Sequence, residues 1–479
     1  MSFAQENNTS LFLPSAIPIP SSSILHPLLS FQSFKAMSGL DMNMDQLTME
    51  SVRRLGDALL SLDALPLSGL LCIFFLTLYL PLVRLLRFRR IGQLQKRYNY
   101  PTRASLAKMT DFEAWEIQRA MSRLEFPFTF EKSLQFALFR TYGIPTISGT
   151  LMKTKQFSNA LYSGKRYVDT CVLIGEFIVH DPASIRARIG ISRTKYLHHS
   201  YRKSGSVREE DMLYTLSLFA TEPIRFINEY EWRSVTELER CALGVFWKSI
   251  GDALGIDYSA FLPTAKAAKE GGQASFKDGL EWLEEVTIWA QEYEKRAMIP
   301  AQSNRDTADQ TTAVLTYSLP RSLKFIGNWF VSSMMDERLR LAMLYPSAPW
   351  LVKQTIPLLF GIRKVILRHL SLPRPEFLRF RNFADKPDPK TGAYHVVTWD
   401  AEPYYVKPTL WNRWLSPAAI VARLMRFPLP GDQGDKYYPQ GYDLANMGPK
   451  TFDGKGKEYM ASEMRTLEKE RRGQCPFVQ

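Results

Sequence analysis

The feature that most limits what this chain can become is an uncharged run, Ala64 to Val83, reading ALPLSGLLCIFFLTLYLPLV. Twenty residues at a helical rise of ~1.5 Å reach ~30 Å, the thickness of a bilayer's hydrocarbon core. The run predicts a transmembrane helix over 64–83. Pro66 and Pro81 trim the span and keep a buried core helix as the alternative. Arg84, Arg87, Arg89, Arg90, Lys96 and Arg97 follow at once, against Arg53 and Arg54 on the other side. That imbalance predicts a single pass with the N-terminus lumenal and the remaining mass cytosolic. A cleavable signal peptide fits less well, because the run lies far from the N-terminus and LLRFRR follows it in place of a small-residue cleavage site.

The chain divides around this anchor. Residues 1–63, rich in Ser, Pro, Met and Asn, are expected to be a disordered lumenal arm, in which Met37, Met42, Met44 and Met49 offer alternative starts. A basic juxtamembrane linker is expected over 84–109 and a helical core over 110–371. From 372 to 479 proline, glycine and large aromatics rise together, as in WDAEPYYVKPTLWNRWLSP, which predicts a region packed on the core. The alternative lays a helix from Thr409 to Arg426 at the bilayer interface. Lys and Arg outnumber Asp and Glu by 61 to 48, a net charge of +13. Such a charge suits an anionic membrane or nucleic acid. Because the densest basic cluster directly follows the apolar run, the membrane is the expected partner and nucleic acid is not. The four cysteines are scattered, without zinc or disulfide spacing, as in a reducing compartment.

Helical periodicity dominates the core. A capping-box pattern, Thr110-Asp111-Phe112-Glu113, predicts a helix to about Leu124, and a second covers Phe130 to Tyr142, stopping at Gly143-Ile144-Pro145. Tyr162 to Val179 is periodic and apolar. Asp181-Pro182 is then expected to cap a helix ending near Gly205. Further helices are expected over Glu209–Phe219, over Thr236–Leu254 behind a Ser234–Glu237 box, and over Gly279–Arg296, Asp306–Leu344 with a break at Pro320, and Trp350–His369. Lys457–Arg472 reads as a solvated charged helix. Strand alternation is scarce, so the fold class is all-α: a single large helical bundle preceded by one transmembrane helix.

Chemistry concentrates between Tyr162 and Gly205. Arg166 and Thr170, four apart, share a helix face with Leu173 and Phe177. Burying both on an apolar face is costly without partners. The residues alone leave two arrangements open. Either Arg166 pairs with Asp169 at the surface while Thr170 bonds back to its own helix, the commoner outcome on an arbitrary helix, or the pair faces a pocket. On the next helix His198 shares a stripe with Ala187, Ile191, Thr194 and Tyr201, whereas His199 shares one with the bulkier Tyr196 and Arg202. Either histidine can be structural, and of the two His198 has the surroundings that admit a flat cofactor. No multi-histidine metal spacing, GxSxG elbow, phosphate-binding loop or dinucleotide fingerprint is present. The cysteine loop of a cytochrome P450 and the clustered histidines of a membrane desaturase are absent as well.

Several segments, FALFRTYGIPTIS, RYVDTCVLIGE, RTKYLHHSY, FINEYEWR, FWKSIGDALGI, FKDGLEWLEEV and KYYPQGYD among them, occur in an order that resembles the fungal endoplasmic-reticulum-bound oxygenases of mycophenolic acid biosynthesis. The resemblance runs from about Arg87 to Pro476, with the apolar run in the corresponding place. It extends to the bacterial latex-clearing proteins, which are b-type haem rubber oxygenases. It implies a helical bundle enclosing haem b, with His198 as the axial ligand to iron and Arg166 and Thr170 as the catalytic and cofactor-binding pair. A lysine that precedes the threonine in some rubber oxygenases is replaced here by Asp169. The implied partners are dioxygen, a prenylated small-molecule substrate and the endoplasmic reticulum membrane. The implied reaction cleaves a C=C bond of a farnesyl side chain on a meroterpenoid, giving an aldehyde later oxidised to an acid. Two rivals stand beside it: a membrane-tethered helical scaffold with merely structural histidines, and a haem oxygenase acting on a different alkene or lipid.

Overall fold

The computed structural model describes residues 53, 67–154, 160–271, 276–399 and 401–477. The arm expected over 1–63 therefore lies outside the described residues apart from Arg53. The chain forms two compact units, Met1–Leu76 and Thr77–Gln479, and no strand occurs among the described residues, only isolated bridges such as Tyr394 with Tyr442.

Helices of at least eight residues are numbered here in chain order. From Leu67 onward the apolar run lies in α1, Leu67–Tyr98, the one described helix long and apolar enough to cross a membrane. Residues 84–98, the first part of the expected linker, continue this helix, which ends at Asn99 in a left-handed cap (φ 44°). Next come α2 (Asp111–Ala120), α3 (Pro127–Thr141), α4 (Pro145–Lys153), α5 (Ala160–Val179) and α6 (Ile185–Lys203). They are followed by α7 (Glu209–Tyr230), α8 (Glu237–Ala253), α9 (Gly279–Ala297), α10 (Gln302–Leu315), α11 (Lys324–Met334) and α12 (Trp350–Val365). The C-terminal region supplies α13 (Pro417–Met425) and α14 (Lys457–Glu470).

Local chemistry explains most boundaries. The Thr110 side chain accepts from the Glu113 amide while Glu113 reaches back to the Thr110 amide, a complete capping box. Two expected caps shift. The start of α6 is capped by Ser184, whose hydroxyl accepts from Ala187 N. Asp181 instead spends its carboxylate on Ala183 N in an Asx turn. At α8 the box is Thr236 with Glu239, two residues later than expected. The α7 helix runs through Pro223 to Tyr230, packed along α3, so tertiary contact overrides the local proline signal.

Two cores position the rest. The larger is built by α2, α3 and α7–α9 around Trp247 and Trp282, both buried. The α8–α9 crossing is so close that a Cβ on Gly244 would lie 2.1 Å from the Gly279 carbonyl oxygen, so only glycine fits. The second core joins Val172 and Leu173 of α5 and Leu197 of α6 to Phe383, Trp399, Tyr404, Tyr405 and Val406. The aromatic region thus packs on the two helices that carry the site candidates, while Trp411 and Trp414 face outward at 57% and 56% exposure. Helix α14 buries Met460 and Leu467 and packs against α6, so it has one covered face.

Candidate functional site between α5 and α6

The two helices pack against each other, with Gly190 of α6 set against Leu173 and Glu176 of α5. Their far ends are clamped by Glu176. That buried carboxylate accepts from Arg186 Nε at 2.8 Å and from the Tyr442 hydroxyl at 2.5 Å, with His180 Nε2 3.2 Å away. Burial pushes its pKa up, but the neighbouring His180 ring and the Arg186 hydrogen bonds outweigh burial and hold it below the usual carboxylate range. Further along α6, buried Arg193 donates to the carbonyls of Met447, Lys455 and Phe452 at 2.8–3.0 Å. These bonds fasten the C-terminal region to α6, since releasing any of them would strand buried polar groups.

On that scaffold His198 and Arg166 come together. His198 is partly buried, and its Nδ1 lies 2.8 Å from the Thr194 carbonyl oxygen. A carbonyl can only accept, so Nδ1 carries the proton and Nε2 keeps its lone pair. Nε2 makes no hydrogen bond among the described residues. Burial, followed by the nearby Arg166 and Arg202 cations, lowers the His198 pKa and keeps the ring neutral. His199 is exposed and lies against the Tyr459 ring, centroids 4.9 Å apart. The two adjacent histidines therefore face different surroundings, as their helical stripes imply.

Arg166 makes no hydrogen bond or ion pair among the described residues. Burial lowers its pKa, opposed by Asp169, Tyr142 and Tyr201 nearby, yet a guanidinium remains a cation at any working pH. The surface pairing with Asp169 does not form. Asp169 is buried, 2.6 Å from Lys165 Nζ, and accepts from the Tyr405 hydroxyl at 2.7 Å. Thr170 does bond back to its own helix, donating to the Arg166 carbonyl at 2.9 Å. Its hydroxyl thus orders the α5 backbone at Arg166 and keeps only acceptor capacity.

Sequence reasoning missed Tyr142 and Thr311. Tyr142 lies near Thr311 of α10, and burial pushes its phenol up to about 12, while Thr311 and Arg166 pull the other way. The only available signal was Tyr142's place at the helix stop before Gly143. Its company with Arg166 comes from tertiary packing.

A cavity of about 100 Å³ lies on a different face of α5, lined by Cys171, Ile174 and Ile178 with Phe130, Leu138 and Phe383. It contains none of Arg166, Thr170 and His198 and is too small for a porphyrin, so the site is defined by its donors. No cluster of three or more His, Cys, Asp or Glu able to hold a metal occurs among the described residues. A single-histidine centre is the kind this donor set suits: a neutral imidazole with an open Nε2 can ligate iron, and a partly buried guanidinium that makes no ion pair can take a carboxylate.

Asp169 is structural in this arrangement. Replacing it with alanine would leave Lys165 half-buried without its anion and the Tyr405 hydroxyl unsatisfied. Tyr405 already holds φ at 64°, a strained conformation costing about 1–3 kcal/mol. Asp169→Ala is expected to destabilise the fold by about 3–5 kcal/mol, read as a lowered melting temperature in detergent.

No family profile matches the chain. Individual relatives do. The chain is 52% identical over 405 residues to the ER-bound oxygenase mpaB′ of Penicillium brevicompactum, covering 84% of this chain and 93% of that protein. It is 48% identical over 367 residues to the ER-bound oxygenase mpaB of the same fungus, 77% of this chain and 85% of the relative. Against mpaB of Penicillium roqueforti FM164 identity is 54% over 264 residues, 55% of this chain and 86% of the relative. With half its residues shared across nearly the whole of the first relative, the chain belongs to the family of fungal ER-bound oxygenases typified by mpaB and mpaB′.

Proposed function

We propose that this protein is a membrane-anchored, haem b-dependent oxygenase that cleaves a C=C bond in the prenyl side chain of a meroterpenoid, such as a farnesylated precursor of mycophenolic acid, releasing an aldehyde. One observation carries the reading. A neutral histidine with an open Nε2 on α6 and a partly buried arginine that makes no ion pair on α5 lie close enough for the cation to act on the imidazole, in a chain whose relatives are named ER-bound oxygenases.

His198 Nε2 would hold the haem iron, and the Nδ1–Thr194 bond fixes the ring's tautomer. Arg166 supplies the positive charge for a haem propionate, and Thr170 holds the helix backbone that presents it. The packed aromatics of the second core keep water from the α5–α6 seam, which raises the strength of each charge there. Bound haem supplies the iron redox chemistry by which dioxygen oxidises an alkene, and the protein supplies ligation, orientation and a dry site. The uncharged part of α1 anchors the protein in the endoplasmic reticulum membrane, N-terminus lumenal, with the rest cytosolic.

The reaction is tested with membranes containing the full chain, a farnesylated phthalide and ¹⁸O₂. The expected product is a shortened aldehyde carrying ¹⁸O. Unchanged substrate in the presence of haem-replete enzyme, or a hydroxylated product with the chain intact, would overturn the assignment.

A further inference from the structure

One face of the Thr77–Gln479 unit is apolar where water would be expected. Helix α12 already buries an inward stripe, with Ile356 and Phe360 packed against Phe226, Tyr230 and Met334. Its outward arc is apolar too. Trp350, Leu351, Leu358, Leu359, Ile362 and Val365 are 49–73% exposed, and at 100° per residue they occupy one half of the helix circumference. From Trp350 to Pro375 the sequence has no Asp or Glu, while Lys353, Arg363, Lys364, Arg368 and Arg374 provide only positive charge. A contiguous patch of this kind is a liability in water. An apolar arc flanked by cations and carrying a terminal tryptophan is the pattern of a helix lying in a bilayer interface.

The surface is also held at a defined level. Just beyond α12, the chain is tied to α1 where α1 changes from apolar to basic. The Tyr79 hydroxyl donates to Leu370 O at 2.8 Å, Arg87 to Ser371 O at 2.8 Å and Leu372 O at 3.1 Å, and Arg90 to Arg374 O at 2.6 Å. Headgroups lie at that level if α1 spans the bilayer, because the uncharged run ends at Val83 and the arginines begin at Arg84. Continuity with this boundary selects lipid as the occupant of the apolar arc, ahead of a protein partner or a second copy.

We propose that α12 is a second membrane contact, its outward arc inserted among the acyl chains of the leaflet that α1 leaves on its basic side. This rests on α1 serving as the anchor. It does not depend on the haem assignment.

Full-length protein is reconstituted in phosphatidylcholine vesicles containing a minor fraction of phosphatidylserine, with nitroxide labels placed singly at native Cys72, or at Leu358→Cys or Ile362→Cys in a Cys72→Ser background. Labelled Cys72→Ser protein serves as the blank, and Lys277→Cys as the water-exposed reference. The expected result is that collisions with dissolved oxygen exceed those with a polar nickel chelate several-fold at 358 and 362, as at Cys72. Water-like accessibility at 358 and 362 with Cys72 in hydrocarbon overturns the proposal and leaves the anchor standing. Low accessibility to both reagents at 358 and 362 identifies a protein-covered face and also overturns it. A water-like Cys72 defeats the anchor reading itself.

Discussion

His198→Ala is expected to lose the Soret band and to lower turnover at least ~100-fold, whereas His199→Ala keeps both. Partners that only orient a metal ligand cost about 10–100-fold when removed, and deletion of the single proposed ligand should cost no less. The alanine protein should still fold. It forfeits one side-chain hydrogen bond to the Thr194 carbonyl, worth about 1 kcal/mol, and the carbonyl stays within its helix. Added imidazole should restore part of the absorption in His198→Ala, an outcome that a purely structural histidine would not give. His199 is exposed and lies against the Tyr459 ring of α14, so its removal should alter stability by no more than about 0.5 kcal/mol. A wild-type spectrum in His198→Ala would remove the proposed ligand.

Arg166→Met separates function from folding by sign. Methionine fills a similar volume without charge, and replacing a partly buried cation that makes no ion pair by an apolar side chain is typically neutral or stabilising. The melting temperature of haem-depleted Arg166→Met should therefore equal or exceed that of haem-depleted wild type, while haem retention or turnover falls about 10–100-fold. Arg166→Lys should recover part of that loss, since lysine keeps the charge and gives up the planar, multi-donor fork. Full haem retention and turnover in Arg166→Met would contradict the role assigned to the arginine.

How much of this was legible depended on the range of each interaction. Thr110 with Glu113 was readable because a capping box is complete within four residues. Asp181 and Ser184 are both good N-cap types three positions apart, and local chemistry alone does not choose between an Asx turn and a cap. Helical period put Arg166 and Thr170 on one face and His198 and His199 on different stripes, and both helices form. The choice of these residues as a site, and of His198 over His199, came from the resemblance and not from period. Period could not say that Lys165 would take Asp169, because that choice is completed by the Tyr405 hydroxyl, 236 residues away along the chain. Tyr142 escaped for the same reason: it reaches Arg166 from the end of α3 through packing, which leaves no spacing in sequence. The exposed arc of α12 was hidden by its regularity, since an apolar face toward lipid and one toward a core share the same period.

A single haem b held by His198 in a working oxygenase would show in pyridine haemochromogen content and turnover measured on the same full-length preparation, purified from a haem-sufficient host. Haem b is expected to approach one per chain, with turnover rising in proportion to haem occupancy across preparations. Undiminished turnover in protein without haem would rule out the haem-dependent reaction.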